Sequence, residues 1–123
     1  MRPTIKRITT IDGDDPVKYS PGDPDRFAIV LRLFVGPSSS EGEESFDLTV
    51  CTPLWLQDRC ERDGFVLGRH HLVVLTFNFE FIRKTLVRLV ERYSGVTWQD
   101  VAAKVSRIGY WEFEDYAQSD ETG

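Results

Sequence analysis

The chain has few of the features that mark several large classes of protein. Its two cysteines, Cys51 and Cys60, are too few for a disulfide framework, and their spacing lacks the close pairs of a zinc knuckle. The N-terminus has no apolar stretch that would serve as a signal-peptide core, and no window approaches the length of a membrane span. The sequence therefore predicts a cytoplasmic protein with two free thiols.

Sequence motifs for common cofactors and reactions are also missing. The chain has no phosphate loop, no dinucleotide-binding glycine pattern, no nucleophile elbow and no zinc-protease helix motif. These are the short patterns with a clear physical mechanism, so their absence lowers the expectation of an enzyme. We expect no cofactor and no bound metal.

Chain length and net charge limit the classes of protein that remain possible. The 123 residues suffice for about one domain, and a 41% hydrophobic fraction suffices for its core. Twenty acidic residues against fifteen basic ones give a net charge of -5, whereas binding to nucleic acid needs clustered positive charge. We therefore expect one soluble domain over residues 1–116, with a frayed tail over 117–123, that binds neither nucleic acid nor a membrane.

Acidic residues fall into three segments of the sequence. Residues 109–123 contain five acids and no Lys or Arg, so the rest of the chain has fifteen residues of each sign. The acids of the other two segments, both in predicted loops, are Asp12, Asp14, Asp15, Asp23, Asp25, Glu41, Glu43 and Glu44. Each segment alone is typical of a solvated loop, but the three together favour an electronegative surface that docks a basic protein.

Apolar patterning predicts four to five strands. Residues 4–11, 26–35 and 45–51 have the β-branched or alternating apolar composition of strands, and the first of them is expected near a sheet edge. Residues 68–77 return to strand composition. Residues 110–116 form a last ordered piece in which, if it is extended, Trp111 and Phe113 point to one side.

Three helices are predicted between and after these strands. Thr52-Pro53 starts a short helix that reaches about Cys60, with Gly64 as its stop. Residues 79–93 form an amphipathic helix, and Thr97 starts another that ends near Gly109. The sequence thus predicts an α+β domain, with a mostly antiparallel sheet, two longer helices packed on one face and a short helix between strands.

One catalytic constellation is conceivable in the sequence. Cys51 with His70 or His71, and Glu80, would supply a nucleophile and a base. Neighbouring residues of a strand project to opposite faces, so both histidines cannot address one metal or one substrate. A packed or surface role is the more common one for such residues, and no catalytic residue is assigned.

The acids after Tyr110 invite a second catalytic interpretation. Glu112, Glu114 and Asp115 lie within four residues of one another and have no basic residue nearby in the sequence. This pattern favours a solvated acidic edge over a general acid and base pair. Tyr and Trp beside such acids also suit a protein-binding patch, in which rings supply buried area and carboxylates recognise a basic partner.

A series of short segments, spread over most of the chain, carries a resemblance to a known family. The segments are residues 24–27 (PDRF), 36–37 (GP), 41–47 (EGEESFD), 50–53 (VCTP), 55–56 (WL), 68–70 (GRH), Trp98 and 108–116 (IGYWEFEDY). In this order and spacing they resemble the immunity protein 8 family of small bacterial proteins encoded beside polymorphic toxins. The resemblance implies a cytoplasmic antitoxin that binds the toxic C-terminal domain of a secreted or contact-delivered effector, and it implies no catalytic residue.

The leading hypothesis is therefore stoichiometric inhibition of a protein toxin by occlusion. The candidate toxin-binding residues are Glu112, Glu114, Asp115, Tyr110, Tyr116, Glu41, Glu43 and Glu44. An interface on the loops before Phe27 is an equally simple version. A small cytoplasmic enzyme with a Cys/His site and a general acidic protein-interaction module remain the alternatives.

Overall fold

An open five-stranded sheet forms the centre of the computed structural model, which describes residues 1–113. The strands are β1 (Pro3–Thr10), β2 (Ala28–Pro37), β3 (Glu44–Cys51), β4 (His71–Val73) and β5 (Tyr110–Trp111). The helices are α1 (Pro53–Asp63), α2 (Phe79–Glu91) and α3 (Trp98–Val105), with a short 3-10 turn at Pro16–Lys18. The predicted α+β class is confirmed.

The sheet has the order β1-β2-β3-β4, and β5 also pairs with β3. All pairs are antiparallel except β3 with β4, which is parallel. Strand β4 lies opposite the second half of β3, with Thr49 facing His71, whereas β5 lies opposite its first half, with Asp47 facing Tyr110. Because β2 occupies the other side of β3, β4 and β5 lie end to end along the same edge of β3.

The core lies between one face of the sheet and the helices α2 and α3. Its fully buried side chains come from alternate positions of β2 and β3 and from one stripe of each helix. They are Leu31, Leu33, Val35, Phe46, Leu48, Val50, Ile82, Leu86, Val90, Val101, Ala102 and Val105. Helix α1 contributes no buried residue, so it stands outside this core.

Capping residues set the start of each helix, at Thr52 and Thr97 as predicted and at Asn78, which was not predicted from the sequence. The side chains of Thr52, Asn78 and Thr97 each accept a hydrogen bond from a backbone N–H three residues later, and Thr97 forms a capping box with Asp100. Helix α1 continues to Asp63, beyond the expected end near Cys60. Gly64 ends it in a left-handed conformation with φ 89°.

Two predicted strands are much shorter in the structure. Only His71–Val73 of residues 68–77 is a strand, because β3 ends at Cys51 and offers no further backbone to pair with. His70 precedes β4 with a positive φ of 60°, so it is not a strand residue. Within the described part of residues 110–116, strand β5 comprises Tyr110–Trp111. Residues 114–116 and the expected tail at 117–123 lie outside the described residues.

Helix length limits which segments could cross a membrane. Helix α2 has 13 residues. No helix within residues 1–113 combines the length and the apolar character that crossing a bilayer requires.

Candidate functional site

The pairing of β5 with β3 brings two of the three acidic segments together. The backbone N–H of Glu112 donates to the Ser45 carbonyl over 3.3 Å, and the Ser45 N–H donates to Oε1 of Glu112 over 2.9 Å. Next to them, Nε1 of Trp111 donates to Oε2 of Glu44 over 2.8 Å. Glu44 and Glu112, 68 positions apart in the sequence, therefore lie on neighbouring strand ends. We name this surface the acidic edge and define it by Glu41, Glu43, Glu44, Tyr110 and Glu112.

Basic side chains neutralise part of the charge around the acidic edge. Arg7 pairs with Glu43 over 2.8 Å, and Arg32 binds both carboxylate oxygens of Asp47 over 2.8 and 2.9 Å. The hydrogen bond to Asp47 raises the pKa of the Arg32 guanidinium, and the charge of Glu112 adds to that rise.

Three carboxylates of the acidic edge keep their charge available. Within residues 1–113, no ion pair involves Glu41, Glu44 or Glu112. The negative field at this end of the sheet is therefore only partly cancelled, and it is available to a positively charged partner.

Aromatic side chains accompany these acids. Trp111 packs against the core, with its ring stacked on Phe46 at a centroid distance of 6.3 Å. Phe113 meets the Trp111 ring edge-on at 5.9 Å and is itself exposed, as is Tyr110. The His70 ring lies edge-on to Tyr110 at 6.1 Å. Trp111 thus anchors the strand, while Tyr110 and Phe113 present ring surface beside the acids.

The structure places five of the eight predicted site residues at this one end of the sheet. Glu114, Asp115 and Tyr116 lie outside the described residues.

The first acidic segment does not share that end of the sheet. Thr10, which precedes Asp12–Asp15, faces Leu31 near the start of β2, whereas Glu44 faces Val35 near the end of β2. Asp15 is occupied in capping the 3-10 turn, where it accepts from Val17 N–H over 3.0 Å. The length of β2 therefore separates residues 12–15 from the acidic edge, and two of the three acidic segments meet at one end of the sheet.

The Cys/His constellation that is conceivable in the sequence is not assembled within residues 1–113. Cys51 is fully buried, and burial raises the pKa of its thiol to about 11, so the thiolate nucleophile is scarce near neutral pH. His70 Nε2 donates to the Ser106 carbonyl over 2.7 Å and His71 Nδ1 donates to the Arg69 carbonyl over 2.8 Å. No hydrogen bond joins Cys51 to either histidine in the described part of the chain.

The other proposed member of that constellation lies on a helix. Glu80 is in the first turn of α2, where it pairs with Arg83 over 2.8 Å and with Lys84 over 3.7 Å. Across residues 1–113, no group of three or more His, Cys, Asp or Glu side chains is arranged to hold a metal ion. The described residues therefore give no support to a catalytic centre at these positions.

Exposed apolar side chains at the end of β4 were not predicted from the sequence. Val73, Leu75 and Phe81 are 47%, 80% and 56% exposed, and they border a cleft of about 390 Å³. We name this surface the apolar edge and define it by these three residues. The sequence interpretation assigned strand composition to the whole of residues 68–77. In the sequence, the four consecutive apolar residues 72–75 (LVVL) indicate this exposure. Successive side chains of a strand point to opposite faces, so a strand with one buried face leaves alternate side chains of such a run exposed.

Within residues 1–113, this acidic α+β domain has exposed rings beside carboxylates that form no ion pair, a combination common on protein-binding surfaces. The family model described as Immunity protein 8 matches residues 4–116 of the 123. The chain therefore belongs to the immunity protein 8 family, and its general role is immunity against a toxin. No curated protein and no solved structure matches the chain.

Proposed function

We propose that the chain is a cytoplasmic immunity protein that neutralises the toxic C-terminal domain of a cognate polymorphic or contact-delivered toxin. It acts by forming a stoichiometric complex that covers the toxin's working surface, and not by a chemical reaction. Family membership supports the general role, and the buried, protonated thiol of Cys51 supports binding over catalysis.

The observation that carries the proposal is the β3–β5 pairing, through which Ser45 N–H donates to Glu112 and Trp111 Nε1 donates to Glu44 at the same end of the sheet. A basic toxin surface would meet these charges first, because complementary fields speed encounter and select partners. Tyr110 and Phe113 would then supply the buried ring area that dominates binding energy in protein interfaces. We include Glu114, Asp115 and Tyr116 in the proposed surface because they follow Phe113 directly in the sequence.

Co-expression tests the role as a whole. The C-terminal domain encoded by the adjacent reading frame is expressed alone and together with this chain, and both cell survival and co-purification are recorded. We expect toxicity alone, rescue by the chain and a one-to-one complex with sub-nanomolar affinity, about -12 kcal/mol or more favourable. A neighbour that kills equally well in the presence of the chain would contradict the proposal.

Charge reversal tests the surface. We expect Glu44→Lys with Glu112→Lys to weaken toxin binding by about 100-fold, since the variant turns attraction into repulsion. Glu44→Gln with Glu112→Gln keeps the acceptor oxygens for Trp111 and Ser45, and we expect a smaller loss of about ten-fold. Affinity is measured by surface plasmon resonance, and circular dichroism confirms that each variant is folded.

A matched reversal at the opposite end of the sheet provides the control. Asp12→Lys with Asp14→Lys changes net charge by the same amount, and neither carboxylate has an ion-pair partner within residues 1–113. We expect affinity within about two-fold of the wild type. If this variant loses binding while the Glu44/Glu112 variant keeps it, the interface lies on the loops before Phe27.

A further inference from the structure

Strand β4 uses only one of its two edges within the described sheet. Thr49 N–H donates to the His70 carbonyl, and Val74 N–H donates to the Cys51 carbonyl, both over 2.9 Å. Given this parallel pairing register, residues 70, 72 and 74 direct their backbone N–H and C=O groups toward β3. The backbone N–H and C=O groups of His71 and Val73 therefore point away from β3, and no described residue bonds to them.

The side chains around this open edge are apolar. Val73 and Leu75 are largely exposed, and Phe81 borders the same cleft from the start of α2. Exposed strand edges are usually protected by Lys, by Pro or by an inward-pointing charge, but residues 71–75 (HLVVL) include none of these. Unpaired backbone groups beside apolar side chains form a template for an added strand, with a cleft to receive its side chains.

The β5 part of the acidic edge, Tyr110 and Glu112, lies along the same side of the sheet as the apolar edge. Tyr110 faces Asp47 and His71 faces Thr49, so the two short strands succeed each other along β3 from Ser45 to Cys51. At about 3.3 Å per residue, this side extends about 20 Å, the length of a short strand.

Acidic residues also lie at the other end of this side, beyond β4. Phe77 N–H donates to the Pro24 carbonyl over 2.8 Å, which places the loop containing Asp23 and Asp25 next to the chain that follows Leu75. An apolar middle with acids at both ends disfavours a second copy of this chain, since pairing two copies would bring like charges together. It favours a segment that has apolar side chains in its middle and basic ones at its ends.

We propose that the toxin domain adds an extended segment to the outer edge of β4. The backbone of His71 and Val73 would bond to the incoming strand, the apolar edge would receive its side chains, and Glu112 would face a basic residue of it. This inference rests on the proposed function and names the element of the toxin that the chain recognises.

Side-chain substitution tests the apolar contact. We expect Val73→Thr with Leu75→Gln to raise the Kd for the purified toxin domain by about ten-fold or more, because both side chains lose apolar contact area. Val96→Gln is the matched control, since Val96 is 89% exposed in the segment between α2 and α3. We expect the control to bind within about two-fold of the wild type. Wild-type affinity in the folded double variant would overturn the inference.

Hydrogen exchange tests the backbone contact directly. In the toxin complex, we expect the amides of His71 and Val73 to exchange at least about ten-fold more slowly than in the free protein. Unchanged exchange at both amides in a saturated complex would overturn strand addition. Protection that appears without toxin, together with a dimer in sedimentation equilibrium, would also overturn it by identifying a second copy as the occupant.

The two proposals fail in different ways. If the wild type binds toxin and the Glu44/Glu112 variants weaken that binding, while the β4 variants and amides show no effect, the inference falls and the proposed function stands. If the wild type does not bind the toxin, the proposed function falls, and strand addition falls with it.

Discussion

At the residue scale, burial decides which polar groups have reactive chemistry. Cys51 and Cys60 look equivalent in the sequence, but Cys51 is fully buried at the end of β3 whereas Cys60 is exposed on α1. Thr52, next to Cys51, is buried as well, and its Oγ1 accepts hydrogen bonds from Phe27 N–H and Trp55 N–H. The residues at this strand end therefore serve packing and helix capping.

The raised pKa of Cys51 predicts a loss of stability at high pH. The folded state holds the thiol proton up to about pH 11, whereas the unfolded chain releases it near the ordinary value of 9.0. Ionisation therefore favours unfolding, and the thiol's contribution is fully present below pH 9.0 and is lost as pH rises toward 11. We expect the wild-type free energy of unfolding, measured with urea, to fall across this interval.

Two alanine variants isolate the thiol from other groups that titrate at high pH. Cys51→Ala should have a lower free energy of unfolding below pH 9.0, from lost packing, and a flatter pH dependence above it. Cys60→Ala should follow the wild type. Equal slopes for Cys51→Ala and the wild type would contradict the buried, protonated thiol.

At the scale of elements, the loop between β2 and β3 folds back onto the strand that precedes it. A Cβ built on Gly36 would lie 1.7 Å from the Gly42 carbonyl oxygen, so only glycine permits this approach. Lys6 Nζ also donates to the Ser40 carbonyl, and Ser38 N–H donates to the Arg2 carbonyl. The loop that contains Glu41 and Glu43 is thus held against the sheet by local contacts.

Gly36→Ala should displace this loop. We expect a loss of about 1–3 kcal/mol in the free energy of unfolding, as for other overpacked sites, with weaker toxin binding. Gly22→Ala is the control, because no atom lies within 4 Å of a Cβ at that position. Urea denaturation and surface plasmon resonance measure the two effects. A Gly36→Ala protein as stable as the wild type would contradict the close approach.

Elements with local signals were predictable, and those set by distant partners were not. Helix α2 follows from its apolar stripe, and α3 follows from an apolar stripe with the capping residue Thr97. Both begin where the sequence places them, although α3 ends at Val105, before the expected end near Gly109. Strand β4 is short because its length depends on where β3 ends, which no local pattern records. The acids of the candidate site were evident in the sequence, but the contact of Glu112 with Ser45 depends on a pairing between strands 67 residues apart.

At the scale of the whole molecule, the net charge of -5 is distributed unevenly. The carboxylates of the acidic edge lie at one end of the sheet, and the aspartates before Phe27 lie at the other. The side formed by β4 and β5 has acids at both ends and an apolar middle, the arrangement of an interface with a polar rim.

This distribution predicts salt-dependent association with the toxin. We expect the association rate constant to fall by about ten-fold or more between roughly 0.05 and 0.5 M salt, because screening shortens the range of attraction. The dissociation rate constant should change much less. Stopped-flow mixing measures both, and the Glu44→Lys/Glu112→Lys variant should show a much shallower or inverted salt slope. An association rate independent of salt would contradict electrostatic guidance.

The pairing of β5 with β3 also has a consequence for protein synthesis. Glu112 bonds to Ser45, 67 residues earlier, so the β3–β5 contact cannot form until translation has passed both positions. At about 5–20 residues per second, the interval is about 3–13 s. A nascent chain on the ribosome already contains β1, β2 and β3 while it still lacks the surface that we propose binds the toxin. Protection of a cell would therefore depend on its stock of finished chains when the toxin arrives.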